Sequence, residues 1–331
     1  MAINTFIPKL YIYTFVWSRN EKRDILLHEK YSKTTNKMEY ILIFGFVWAL
    51  MLIIKADATR VHGVRGIAIN QESGFDENYV VTWGQDHVLK SNQGKEVQLT
   101  MDYFSGSGFE SKNHYGSGFF QMRIKVFGNN SSGVVTAFYL TSKGDTHDEV
   151  DFEFLGNVEG KPITLQTNVY TEGRGNREQR FDLWFDPTID YHNYGILWNP
   201  YHIVFYVDSI PIRVFNNNTS NGVNYPSKPM QVVSSLWNGE NWARDGGKTK
   251  INWTYAPFKA HFQGLSDSGC HVDDPSNNSK ACGSSIYWWN TMMLSVFEQK
   301  VYKTVREKYM NYDYCSDQAR FSVLPSECRY N

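Results

Sequence analysis

The sequence predicts an all-β fold, a sandwich or barrel, with a short helical extension near its C-terminus. From Tyr79 to Phe258, short segments of alternating apolar and polar residues are separated by Gly, Asn, Asp and Pro turns, the pattern of an antiparallel β protein. Helical periodicity occurs near the end, where Phe297, Val301, Val305 and Tyr309 recur at steps of four. A chain of 331 residues, 41% hydrophobic and 16% aromatic, has material for a substantial core.

The elements follow in chain order. Residues 1–37 read as an upstream extension or an unusual leader. The run YILIFGFVWALMLII, Tyr40 to Ile54, is followed by Ala56-Asp57-Ala58, a small-x-small pattern suited to cleavage, so 38–58 is expected to be a secretory signal and Thr59 to lie near the mature start. Met38-Glu39 supplies little of the positive charge usual ahead of such a run. Its 15 residues fall short of a membrane span, which needs roughly 18 or more, so no stable membrane insertion is expected. Phe120, Met122, Ile124 and Val126 alternate with Gln121, Arg123 and Lys125, and Ile203, Phe205 and Val207 alternate with His202, Val204 and Tyr206; each set reads as a strand. Asp208-Ser209-Ile210-Pro211 then marks a hairpin or short connection to Ile212–Phe215.

Cys270, Cys282, Cys315 and Cys328 form an even set in a chain expected to be exported, which implies two disulfides. The local pairs close the shortest loops, but spacing leaves all three connectivities open. Zinc is the weaker alternative, because no CxxC or HxxxH spacing occurs. Asn-x-Ser/Thr sequons begin at Asn129, Asn130, Asn217, Asn218, Asn252 and Asn277. A formal net charge of −1, with acids and bases interspersed, gives no broad positive field for phosphates, so nucleic acid is not an expected partner.

The stretch THDEVDFEFLG, Thr146 to Gly156, carries the chemistry. On a strand Glu149, Asp151 and Glu153 leave one face while Val150, Phe152 and Phe154 leave the other. A solvated acidic edge strand is the bland alternative, weakened because three like charges side by side destabilise a strand. A calcium loop lacks its glycine and spacing here. In retaining glycoside hydrolysis one carboxylate attacks the anomeric carbon and a second, roughly 5–5.5 Å away, shuttles the proton. Glu149 and Glu153 lie about 13 Å apart along a flat strand, a gap that inward-leaning side chains on a concave sheet would narrow. Asp151 between them would hydrogen-bond the nucleophile and hold unequal protonation states.

HDEVDFEFLGN resembles the HDEIDFEFLGN signature of the xyloglucan endotransglucosylase/hydrolases, plant members of glycoside hydrolase family 16. The similarity continues through FDENYVVTWG, SGSGFESKN, TAFYLTS, QTNVY, GNREQRFDLWFDPT, YGILWNPYHIVFYVD, SLWNGENWA and a tail resembling KYMIYNYC, nearly all of the chain after residue 70. The resemblance implies a concave jelly-roll β-sandwich over 59–262 with a long glucan cleft, and a disulfide-stapled C-terminal extension over 263–331 that lengthens the acceptor side. It implies Glu149 as nucleophile, Glu153 as general acid/base and Asp151 as assisting carboxylate, with no cofactor and no metal. It also implies sugar-binding roles for Gln166, Thr167, Asn168, Asn176, Arg177, Glu178, Asn241, Trp242, Gly246 and Arg320. Trp184 and Trp198, in strand-like runs, are assigned to packing, and His147 and His192 to structural hydrogen bonds. Asn157-Val158-Glu159 departs from the sequon many relatives carry there, and the middle of YWWNTMMLSVFEQ is unusual for the family.

The expected activity is cleavage of the β-1,4-glucan backbone of xyloglucan and its religation to a second xyloglucan chain, by a monomer secreted to the cell wall and apoplast. The short segment TEGRGNREQR favours transfer over hydrolysis, whose branch of the family carries a longer loop. A non-catalytic glucan-binding module would have no need of both Glu149 and Glu153. A structural wall protein would show Pro- or Gly-rich repeats, which are absent.

Overall fold

The computed structural model describes residues 74–265, 268–274 and 280–330. The expected leader, the signal segment and the sequon at Asn277 lie outside the described residues. Sixteen strands are described: β1 Tyr79–Trp83, β2 Val88–Ser91, β3 Glu96–Met101, β4 Ser107–Ser111, β5 His114–Lys125, β6 Val134–Thr141, β7 Glu149–Leu155, β8 Thr164–Tyr170, β9 Gln179–Asp182, β10 His192–Trp198, β11 His202–Val207, β12 Ile210–Asn216, β13 Gln231–Asn238, β14 Phe258–Gln263, β15 Gly269–Val272 and β16 Met310–Asp313. They form two antiparallel sheets, a jelly-roll sandwich. One runs β1-β4-β13-β6-β7-β8-β9-β16; the other runs β12-β11-β10-β5-β14-β3-β2, with β15 added on β5.

The core follows from the period-two pattern. Val150, Phe152 and Phe154 of β7 point into it, and Phe152 meets Phe205 of β11 edge-on at 5.1 Å. The predicted hairpin joins β11 to β12, with Asp208 and Ser209 both at positive φ (49° and 66°); such two-residue turns match the strand twist.

The extension is part of the sandwich. The outward residues of β10 and β11, Leu197, Val204 and Tyr206, are buried under Cys270, Cys282 and Trp289, so β11 is covered on both faces. Trp289 sits inside the unusual YWWNTMMLSVFEQ segment and donates its Nε1–H to Ser117 Oγ at 3.0 Å. The predicted helix spans Val296–Tyr309, opened by a Ser295/Glu298 capping box. Val305 is buried and Val301 and Tyr309 pack against the core, whereas Phe297 in the first turn is 74% exposed. The apolar stripe therefore engages only from the second turn. Beyond it, β16 pairs with β9 and widens the first sheet. The disulfides are Cys270–Cys282 and Cys315–Cys328, the two local pairs.

Trp198 packs as expected, buried in β10 with Nε1–H on the Pro226 carbonyl at 3.1 Å. Trp184 also packs, 5.4 Å from Tyr309, but in the loop after β9 and not in a strand. His192 bonds Asp208 Oδ2 at 2.6 Å, and His147 bonds the Gly144 carbonyl at 3.0 Å while stacking on Tyr170.

Candidate active site

The acidic strand is interior. β7 lies between β6 and β8 in a register that sets Glu149 beside Thr141 and Tyr170, Asp151 beside Tyr139 and Asn168, and Glu153 beside Ala137 and Gln166. On the face opposite Phe152, Glu149 and Asp151 are thus flanked by polar or aromatic side chains and Glu153 by the small Ala137 and the amide of Gln166, and no solvated edge is available to disperse the charge. Asp151 is only 4% exposed.

Burial is the first cause of the acids' perturbed affinities for protons. It raises Glu149, against the pull of Thr141, His147 and Asp151, which stabilise its charged form. It holds Asp151 well above the usual carboxylate range, reinforced by the negative charges of Glu153 and Glu149 on either side. Glu153 is pushed up to about 7 by burial, with the Gln166 hydrogen bond opposing. Gln166 ties this acid into a relay: its Nε2 donates to Glu153 Oε2 at 2.7 Å, while Arg180 Nε donates to Gln166 Oε1 at 2.7 Å.

Arg213 supplies a compensating charge from the other sheet. It is fully buried on β12, donates to the Thr167 carbonyl at 2.8 Å and to Thr167 Oγ1 at 3.0 Å, and its positive charge draws the Asp151 carboxyl partly back down.

The other expected site residues divide by location. Asn168 accepts the backbone N–H groups of Val169 and Arg177 through Oδ1, which shapes the loop after β8. Thr167 faces the core beside Arg213, because neighbours on a strand alternate faces, and so lies away from the acids. Asn176 and Glu178 converge on Arg320 of the extension: Nη2 donates to Asn176 Oδ1 at 2.6 Å and Nη1 to Glu178 Oε2 at 2.7 Å. Arg177 turns instead to the buried Glu327, with Nε to Oε1 at 2.5 Å, and ties the extension to the sandwich. Asn241, Trp242 and Gly246 follow β13; Trp242 lies 6.0 Å from Trp237, and Asn241 accepts from Lys250 Nζ at 3.1 Å. Gly246 is exposed at φ 64°.

Trp83, Trp237, Tyr139, Tyr170 and Arg180 also stand on the acid face, beyond the residues expected from the sequence. Trp83 lies flat over Gly108, where a Cβ would stand 2.5 Å from the indole nitrogen, so glycine there is what lets the ring lie down. Trp83, Tyr103, Phe104, Trp237 and Trp253 line a groove of about 380 Å³. Trp83 and Trp237 stood in two quoted motifs, FDENYVVTWG and SLWNGENWA. Alternation along β13 sets Trp237 with Val233 and Ser235 on the acid face. Trp83 instead alternates with the core-facing Tyr79 and Val81 and comes to the acid face, opposite Gly108, only through the register shift after Val81, which spacing does not announce. Tyr170 lies over Gly175 in the same way on the other flank.

These features agree with what the chain is similar to. The family model described as "Glycosyl hydrolases family 16" matches residues 75–255, and "Xyloglucan endo-transglycosylase (XET) C-terminus" matches residues 283–328. The chain belongs to glycosyl hydrolase family 16, in its xyloglucan endotransglucosylase/hydrolase branch. Within that branch, "Xyloglucan endotransglucosylase/hydrolase protein 2" of Arabidopsis thaliana is 68% identical, over 89% of this chain and 99% of that protein. "Xyloglucan endotransglucosylase/hydrolase protein 3" of the same plant is 60% identical, over 88% of this chain and 100% of that protein. Among solved structures, a Crh5 transglycosylase in complex with NAG has a TM-score of 0.50 at 21% identity, covering 65% of this chain and 88% of that one. That likeness concerns the family 16 fold alone.

Proposed function

We propose that this protein is a secreted xyloglucan endotransglucosylase acting by retaining double displacement, with Glu149 as nucleophile, Glu153 as general acid/base and Asp151 as assisting carboxylate. The observation that carries the assignment is the acid row on an interior strand with unequal proton affinities. Asp151, whose carboxyl is held well above the usual range by burial and its acidic neighbours, can share a proton with Glu149 and steer the negative charge to the oxygen that attacks C1 of the donor glucan. As the C1–O4 bond breaks, Glu153 gives its proton to the departing chain. The 4-hydroxyl of an acceptor glucan then enters, Glu153 takes its proton, and the Glu149–C1 bond breaks with net retention.

The cleft crosses the strands, since the first sheet carries aromatic rings at β1 and β13 on one flank of β7 and amides and guanidinium groups at β8, β9 and the extension on the other. Eight strands give seven gaps of ~4.8 Å, roughly 34 Å from edge to edge. The Trp83/Trp237 flank suits the apolar faces of donor pyranoses. Gln166, Asn168, Arg180 and the Arg320–Glu178–Asn176 group suit acceptor hydroxyls. Transfer over hydrolysis is favoured by the short loop after β8, closed by a Thr171–Arg174 bridge. Two disulfides fit an oxidising, extracellular destination, with residues 38–58 as signal, 59–262 as catalytic domain and 263–331 as its extension.

Incubating the secreted protein with xyloglucan and labelled xyloglucan oligosaccharides tests the activity. Label entering polymer is the expected result. Chain shortening with new reducing ends and no label uptake would make the protein a hydrolase, and neither outcome would reduce it to a binding module.

A further inference from the structure

A second groove, of about 630 Å³, lies away from the acid row, lined by the loop after β5, the loop after β7 and the loop after β9. That volume is in the range of small-ligand sites, ~300–1,000 Å³. Its walls mix aromatic and charged groups: Trp184 and Phe185 supply half-buried ring surface, and Glu159, Lys161 and Asp186 line the polar side. Asn129 lines the same groove, is exposed, and heads the sequon Asn129-Asn130-Ser131.

The loop that carries it is held in place. Ser131 N–H donates to the Asn157 carbonyl at 2.9 Å, and Asn157 N–H donates to Ser131 Oγ at 3.3 Å. Asn130, which heads the overlapping sequon, folds its Oδ1 back onto Ser132 N–H at 3.3 Å. Asn129 takes φ 57°, a left-handed conformation that asparagine tolerates better than most residues.

We propose that Asn129 is N-glycosylated and that the first N-acetylglucosamine units of this glycan lie in the groove, against Trp184 and Phe185. An N-glycan is attached at the rim by its Asn-x-Ser linkage, so the tether that brings sugar to the groove is already in the sequence. Pyranose C–H faces pack on the rings, and the hydroxyl and acetamido groups reach Glu159, Lys161 and Asp186. The glycan then bridges the three loops, including the one that follows the acid strand. This inference rests on the secretion reading, because the linkage forms only on an exported chain.

The test uses the full chain expressed in a secreting eukaryotic host, with peptide mapping after enzymatic deglycosylation in heavy-oxygen water, and with deglycosylation rates compared on native and denatured protein. Expected are isotope-marked deamidation at residue 129, its loss in Asn129→Gln but not in Asn130→Gln, and release at least about tenfold slower from native than from denatured protein. A secreted chain bare at Asn129, or carrying sugar at Asn130 instead, overturns the site and leaves the secretion reading intact. Equal release rates from native and denatured protein overturn the seating in the groove. Retention of the chain in the cytosol overturns the secretion reading and this inference with it.

Discussion

At the scale of the residue, Glu149 and Glu153 share a strand but should fail differently. On the proposed roles, Glu149→Ala leaves no nucleophile for any leaving group. Glu153→Ala removes proton donation only, so an activated aryl glycoside should still label Glu149 while xyloglucan turnover falls by a factor on the order of 100 or more. Mass spectrometry of the trapped enzyme separates the two, and a Glu149→Ala protein that kept ordinary transfer would sink the role assignment. With Glu153 at about 7, the glycosylation step should decline as pH rises through 7, and Glu153→Gln should remove that limb along with most activity. The same group makes a stability prediction. Its folded affinity for a proton exceeds the unfolded one, so its contribution is fully present below the unfolded value of 4.5 and is lost as pH rises through about 7. Melting temperature should fall across that window in the wild type and less in Glu153→Gln.

At the scale of the element, the strands were legible wherever one face is buried and the other is not. The acid row could be read because period two separates it from Val150, Phe152 and Phe154 without help from any partner. Arg213 could not be read that way: its role depends on which strand lies across the core from β8, a fact of topology that spacing on β12 does not contain. Thr167 erred for the opposite reason, because a motif carried it along with its neighbours although alternation turns it to the core. The helix Val296–Tyr309 was legible in period but not in extent, since Phe297 continues the stripe past the point where a partner surface exists. Its capping box predicts that Ser295→Ala costs about 1 kcal/mol of local stability, read as faster amide exchange in its first turn. The Arg177–Glu327 pair is better protected from water, and Glu327→Ala, which strands a guanidinium there, should cost on the order of 3 kcal/mol in a denaturant titration.

At the scale of the whole molecule, the extension behaves as the missing part of two sheets. Deleting residues 263–331 would remove β15 and β16 and uncover Leu197, Val204 and Tyr206 on the outer face of β10 and β11. The truncated chain is expected to aggregate, as large exposed apolar patches do; a soluble, cooperatively melting product would show that the catalytic domain closes alone. Composition could not announce this dependence. His202, Val204 and Tyr206 read as an ordinary outward set, and only the packing of Trp289 and the Cys270–Cys282 loop against that face reveals the cover.

The pairing of β16 with β9 also orders events in time. A ribosome delivers the acid strand long before residues 310–313, so the cleft sheet stands with β9 as a bare edge while the chain is still being made. Cys328 emerges later again, and until it meets Cys315 the loop that presents Arg320 to Asn176 and Glu178 has no covalent anchor. A nascent chain arrested short of residue 310 should therefore hold its three acids in place and yet grip an acceptor poorly, which makes chain release and oxidation, and not the assembly of the acid row, the moment at which the enzyme comes into being.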